Sequence, residues 1–286
     1  ARREVDIHKT YSQTIEAEFS DIRAASTASG GTALTTTLGL IPITLGANWI
    51  SITPRNFVGC NVARWLLNPY LAIVKTTDSL VGSAATSDLS AELQDGDTTT
   101  VAMDAFDVAA NGHFLYVGAM VRFRGARVTV GDGAGAGDPQ NTASLLTVKY
   151  WDGTGWAAIS ETDGTETGGT TTFAQNGNVT WTVPAAWTAS SLIAIGDTSL
   201  KTSWSMAKLY WTRWEVDTLT EATWTIVSIQ ALNRVTTYSE WLEGQVFQAA
   251  IQSEGPGGFA CVEALTDAGT ANLIVNAATA RGETFE

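Results

Sequence analysis

Imidazole groups suit proton transfer near neutral pH, and the chain carries only His8 and His113. His8 belongs to a charged N-terminal stretch, so a Ser/His/Asp or Cys/His arrangement would have to use His113. No Gly-x-Ser-x-Gly elbow surrounds any serine. Cys60 and Cys261 are too few for a disulfide framework or a cysteine-based zinc site, and both read as buried small hydrophobes. Carboxylates are plentiful, but nothing in their spacing selects a pair for glycoside cleavage, and they read as solvated turn residues. The run from Gly131 to Asp138 lacks the Gly-Lys-Ser/Thr ending and following helix of a phosphate cradle, so it reads as a β-turn loop. Asp95 with Asp97, and Asp132 with Asp138, offer hard oxygen ligands for calcium, but without the twelve-residue calcium-loop spacing. These residues imply neither an enzyme nor a cofactor or metal.

Residues suited to contact are more prominent. Arg122, Arg124 and Arg127 form a local basic concentration, and strand geometry predicts that Arg122 and Arg124 share a face, either meeting a neighbouring subunit's acidic surface or lying solvated. Eight of the 11 tryptophans fall between residues 151 and 224. Trp181 and one face of the strand from Tyr210 to Trp214 read as core. About two thirds of the eight are assigned to core and the rest to contacts, Trp151, Trp156 and Trp187 being named for the latter.

The elements that must carry these residues follow from composition. The chain has 286 residues, 44% of them hydrophobic, which suffices for one large all-β domain or two smaller units. Charged residues are 16%, against about 25% in ordinary soluble proteins. A balance of 16 basic to 29 acidic residues argues against binding nucleic acid or an acidic membrane surface. No window approaches a membrane-spanning length of apolar residues, and no signal peptide is apparent. The initial Ala fits removal of an initiator Met.

Residues 1–25 mix charges of both signs with apolar positions at Ile7, Tyr11, Ile15, Phe19 and Ile22, predicting an amphipathic helix or an extended arm. Residues 26–100 form an N-terminal β region whose polar stretch, 78–100, is the expected boundary. Residues 101–235 then show short strands separated by Gly/Asp turns, the pattern of an antiparallel sandwich. Leu146, Val148 and Tyr150 alternate with Thr147, Lys149 and Trp151. Tyr210, Thr212 and Trp214 likewise oppose Trp211 and Arg213. Asp152-Gly153, with Gly155 available for positive φ, predicts a hairpin between Trp151 and Trp156. In 236–286, residues 259–279 read as a terminal hairpin after the Gly255-Pro256-Gly257-Gly258 break.

The succession FLYVGAMVRFRGARVTV, LTVKYWDGTGWAAIS, TDGTETGG, NGNVTWTVPAAW and LYWTRWEV, over roughly residues 103–232, resembles a β-sandwich module of structural proteins in tailed bacteriophages. In that module a Tyr-Trp-Asn/Asp-Gly strand end leads to a Trp strand, an Asp-Gly-Thr turn, a Val-Thr-Trp-x-x-Pro strand and a Tyr-Trp-x-Arg strand. The resemblance implies a jelly-roll-like antiparallel sandwich in a non-enzymatic virion component, made in the bacterial host cytoplasm. The arm and the terminal hairpin complete this all-β expectation.

Small, uncharged, Thr/Gly/Ala-rich strands suit close contact with other copies or a shell. The leading expectation is a capsid decoration or cement protein that forms a homo-oligomer and binds the major capsid protein or other virion proteins. Trimers are common among such sandwiches. The alternative is a tail- or fibre-associated module whose exposed tryptophans stack on host glycans.

Overall fold

The computed structural model describes residues 24–25, 30–77, 86–103, 106–131, 138–196 and 204–278. Most of the N-terminal arm, including His8, therefore lies outside the described residues, as does Asp132. The strands are β1 (Ala24–Ala25), β2 (Thr32–Leu34), β3 (Gly39–Pro42), β4 (Trp49–Val58), β5 (Ala63–Pro69), β6 (Ala72–Thr77) and β7 (Thr86–Asp88). Next come β8 (Val101–Ala102), β9 (His113–Ala119), β10 (Phe123–Thr129), β11 (Leu146–Trp151), β12 (Trp156–Ala158), β13 (Thr162–Asp163) and β14 (Gly177–Thr180). A single-turn helix, α1 (Leu192–Ile195), precedes β15 (Tyr210–Val216), β16 (Thr225–Ile226), β17 (Ser228–Asn233) and β18 (Ser239–Trp241). The last are β19 (Phe247–Ala250), β20 (Phe259–Thr266) and β21 (Thr270–Ala278).

These strands pair antiparallel and build two sandwiches, so the molecule is all-β as its composition and turn spacing predict. In the Trp-rich sandwich a six-stranded sheet, ordered β12-β11-β15-β9-β6-β7, faces a four-stranded sheet, ordered β13-β14-β10-β17. Between them lies a core that includes Leu115, Val117, Phe123, Val128, Trp181, Trp187, Trp214 and Trp224. The sheet takes β6 and β7 from the 26–100 region, pairing β6 onto β9, so residue 100 is not a break between sheets. Within 86–100, Ser90 and Gln94 are buried rather than in an open connection. The Gln94 amide bonds both the N–H and the carbonyl of Leu71.

The predicted alternations are present. Leu146 and Val148 enter the core with Tyr150 packed against it, and Trp214 and Tyr210 face that core while Trp211 faces the other way. Trp211 anchors a second apolar layer, with Tyr116, Leu192 and Leu209, on the far face of the six-stranded sheet. Close packing there requires Gly118, since a Cβ would lie 2.5 Å from the Trp211 ring. The Asp152-Gly153 hairpin joins β11 to β12 with Trp151 opposite Trp156. Gly153 rather than Gly155 takes the positive φ, 106°. The Asp152 carboxylate accepts from the N–H groups of Thr154 and Gly155, which hold its pKa below the usual carboxylate range.

The terminal sandwich joins the two ends of the described chain. One sheet runs β1-β21-β4-β19 with β2 also on β21, and its partner runs β18-β5-β20-β3. Ile50, Ile52, Trp65, Val262, Leu273 and Val275 fill the space between. The expected C-terminal hairpin is present only as consecutive strands: β20 and β21 do not pair with each other but enter opposite sheets. Each alternates buried apolar residues inward, so separate sheets let both faces share one core. The sheet carrying β5 and β20 then packs against β17, bonding through Asn68 to Ala231 and Asn233 to Leu67.

Candidate functional site

The seam between the sandwiches is set by a bulge in β10. The ladder to β17 shifts between Phe123 and Gly125, where any Cβ would lie 2.3 Å from the Val179 carbonyl. The extra residue leaves Phe123, Ala126 and Val128 in the core and turns Arg124 and Arg127, three residues apart, toward the terminal sandwich.

Arg124 forms an ion pair with Glu263 of β20. The Glu263 carboxylate, whose side chain is fully buried, also accepts from Tyr238 Oη and from Asn68 Nδ2 at 2.9 Å. Burial disfavours its ionisation, but donors from Arg124, Tyr238 and Asn68 outweigh that and hold the carboxyl below the usual range. Burial and the bond to this carboxylate push the Tyr238 phenol upward. Arg124 is thus engaged within the molecule, not free to meet another subunit.

Arg127 instead opens into a cleft of about 460 Å³ lined by β2–β3 residues, the Gly96–Thr98 turn, and the outer face of β10 and β17. Directly opposite it across the ladder is Gln230, and the next pair on that face is Thr129 with Ser228. Gln230 is only 5% exposed. Among the described residues, neither the Arg127 nor the Gln230 side chain has a hydrogen-bond or ion-pair partner. Gly96 closes one wall, its α-carbon so near Pro42 that a Cβ would lie 2.5 Å from that ring.

The remaining predicted contact residues separate. Trp187 is 1% exposed and donates Nε1–H to the Trp211 carbonyl at 3.0 Å, so it is core and not a contact residue. Its apolar environment follows from the loop after Pro184 folding back over Phe123. Arg122 lies before β10, donates to the Trp187 carbonyl and covers the Tyr210 ring, so it does not share a face with Arg124. Trp151 and Trp156 meet edge to face, both half-buried, on the outer side of the six-stranded sheet. Beside them the Arg213 guanidinium sits 5.0 Å over Trp156 and 4.4 Å over Phe114, and pairs with Glu215, which also bonds Lys149.

His113 packs edge-on to Phe106, and its buried Nδ1 has no hydrogen-bond partner among the described residues. Cys261 is buried, as expected, and burial pushes its thiol up to about 12. Cys60 is only half-buried, bonding the Thr270 carbonyl. The Asp95 and Asp97 carboxylates accept from N–H groups of their own turn. No cluster of three metal-ligating side chains occurs among the described residues.

Sequence reasoning missed Gln230, Glu263 and Arg213. A signal existed for Gln230, a polar residue amid the apolar alternation of Ile229 and Ala231. Glu263 is recognisable only through a pairing that links distant parts of the chain. Comparison with protein-family models, curated proteins and solved structures found no match to this chain.

Proposed function

We propose that this chain is a non-enzymatic structural protein of a tailed-phage virion that decorates or cements the capsid, binding the shell and its own copies. The carrying observation is that most of the tryptophans of the Trp-rich sandwich serve architecture. Trp181, Trp187, Trp211, Trp214 and Trp224 are buried, and each indole N–H bonds an acceptor within the fold. A module whose indoles are satisfied internally offers a rigid body for repeated assembly, where many weak contacts act together. The faces of Trp156 are approached by Arg213 and Tyr116, which limits the stacking that the glycan-binding alternative requires.

Immunogold electron microscopy of particles assembled with this chain tests the proposal. Label over the head is the expected result. Label restricted to the tail or its tip overturns the decoration role and favours a receptor-binding module. Light scattering of the purified chain, in which an oligomer is expected, reports self-association independently.

A further inference from the structure

Between the sandwiches, the fold presents a cation and an amide that it does not itself satisfy. Arg127 and Gln230 are cross-strand partners, both line the cleft, and Gln230 is 95% withdrawn from solvent. Arg127 is half-buried and the Gln230 amide atoms stay open to the cleft, so both can be hydrogen-bonded by a ligand seated there. Thr129 and Ser228 add two hydroxyls on the same floor, and Thr98 also lines the cleft. The volume, about 460 Å³, is within the range of roughly 300–1,000 Å³ for small-molecule sites.

We propose that this cleft binds a carboxylate-bearing saccharide unit of the uronic acid class. The planar guanidinium of Arg127 matches one carboxylate, and the Gln230 amide supplies a neighbouring N–H. Hydroxyl side chains both donate and accept, which is what ring hydroxyls require. Asp97, also in the cleft, forms no ion pair with Arg127, and its carboxylate accepts from Thr99. With the Asp97 carboxylate in the same cleft and a net charge of −13, a monoanion leaves less uncompensated negative charge beside the single guanidinium than a dianionic phosphate does. No lining residue is aromatic, so recognition here is polar rather than by stacking. This site is separate from the Trp151–Trp156 face and independent of the decoration role.

Calorimetric and NMR titration of the full chain with sodium glucuronate, glucose and acetate at low salt tests the proposal. Glucuronate is expected to bind saturably, with glucose at least about tenfold weaker through loss of the charge-assisted contact and acetate at least about tenfold weaker through loss of the ring-hydroxyl contacts. Arg127→Met is expected to weaken glucuronate at least about tenfold. Gln230→Glu sets an internal carboxylate opposite Arg127, and is expected to abolish binding while preserving the melting temperature. Because that variant is isosteric, it decides the matter if Arg127→Met proves unstable. Absence of saturable glucuronate binding overturns the proposal, as does acetate binding equal to glucuronate or unchanged affinity in Gln230→Glu.

Discussion

The Arg124 guanidinium on β10 meets the Glu263 carboxylate on β20, and that contact spans the boundary between two separately cored sandwiches. Arg124 also donates to the Asn233 carbonyl, while Asn68 and Tyr238 donate to Glu263. Each charge is therefore paired and hydrogen-bonded, the condition under which a buried ion pair is tolerated.

Removing one partner leaves the other charge buried. Arg124→Leu is expected to lower unfolding free energy by about 3–5 kcal/mol, measured by urea denaturation. The double variant Arg124→Leu/Glu263→Leu is expected to recover much of that loss. A single variant as stable as the parent would contradict a structural role for the pair.

Acid should act at the same place. The Glu263 carboxyl is held below its ordinary value, so its stabilising contribution is complete above about pH 4.3 and lost as pH falls through the lowered native value. Urea midpoints measured through this interval are expected to fall with pH, and to fall less steeply in Glu263→Gln.

The approach of Gly118 to Trp211 leaves no space for a side chain, the Cβ position being 2.5 Å from the ring. Gly118→Ala is expected to cost about 1–3 kcal/mol by forcing the indole or strand to shift. Thermal unfolding gives the cost, and near-ultraviolet circular dichroism reports the displaced indole.

The two cysteines should differ in reactivity. Cys261 is wholly buried with its thiol pushed up to about 12, whereas Cys60 is half-buried. Disulfide-exchange reagent at pH 8 is expected to titrate Cys60 in the native protein and Cys261 only after denaturation. Rapid native reaction of both would mean that the Cys261 strand opens readily.

Local chemistry was legible where neighbours in sequence decide it. The Asp152-Gly153 turn, the alternation of Leu146 with Thr147, and the opposed faces of Trp211 and Trp214 all follow from strand periodicity and turn preference. The fates of Arg122 and Arg124 did not follow, because one inserted residue before Gly125 redirects the strand. Trp187 was misread because its burial depends on a loop folding over Phe123, not on any repeating pattern. The final two strands have the composition of a hairpin, but their partners β4 and β5 lie some two hundred residues upstream, and that pairing wins.

The terminal sandwich carries a kinetic consequence. The chain leaves it after Pro69, completes the Trp-rich sandwich between Ala72 and Asn233, and returns at Ser239 beside Trp65, so the second body is an excursion between two neighbouring strands. A nascent chain can bury the Trp-rich core once Asn233 is made, while β4 and β5 still await β20 and β21. Such distant pairings close slowly, since the loop entropy must be overcome before contacts form. Folding is accordingly expected to proceed from the middle of the polypeptide outward, with pulsed hydrogen exchange protecting β9–β17 before β4, β5, β20 and β21.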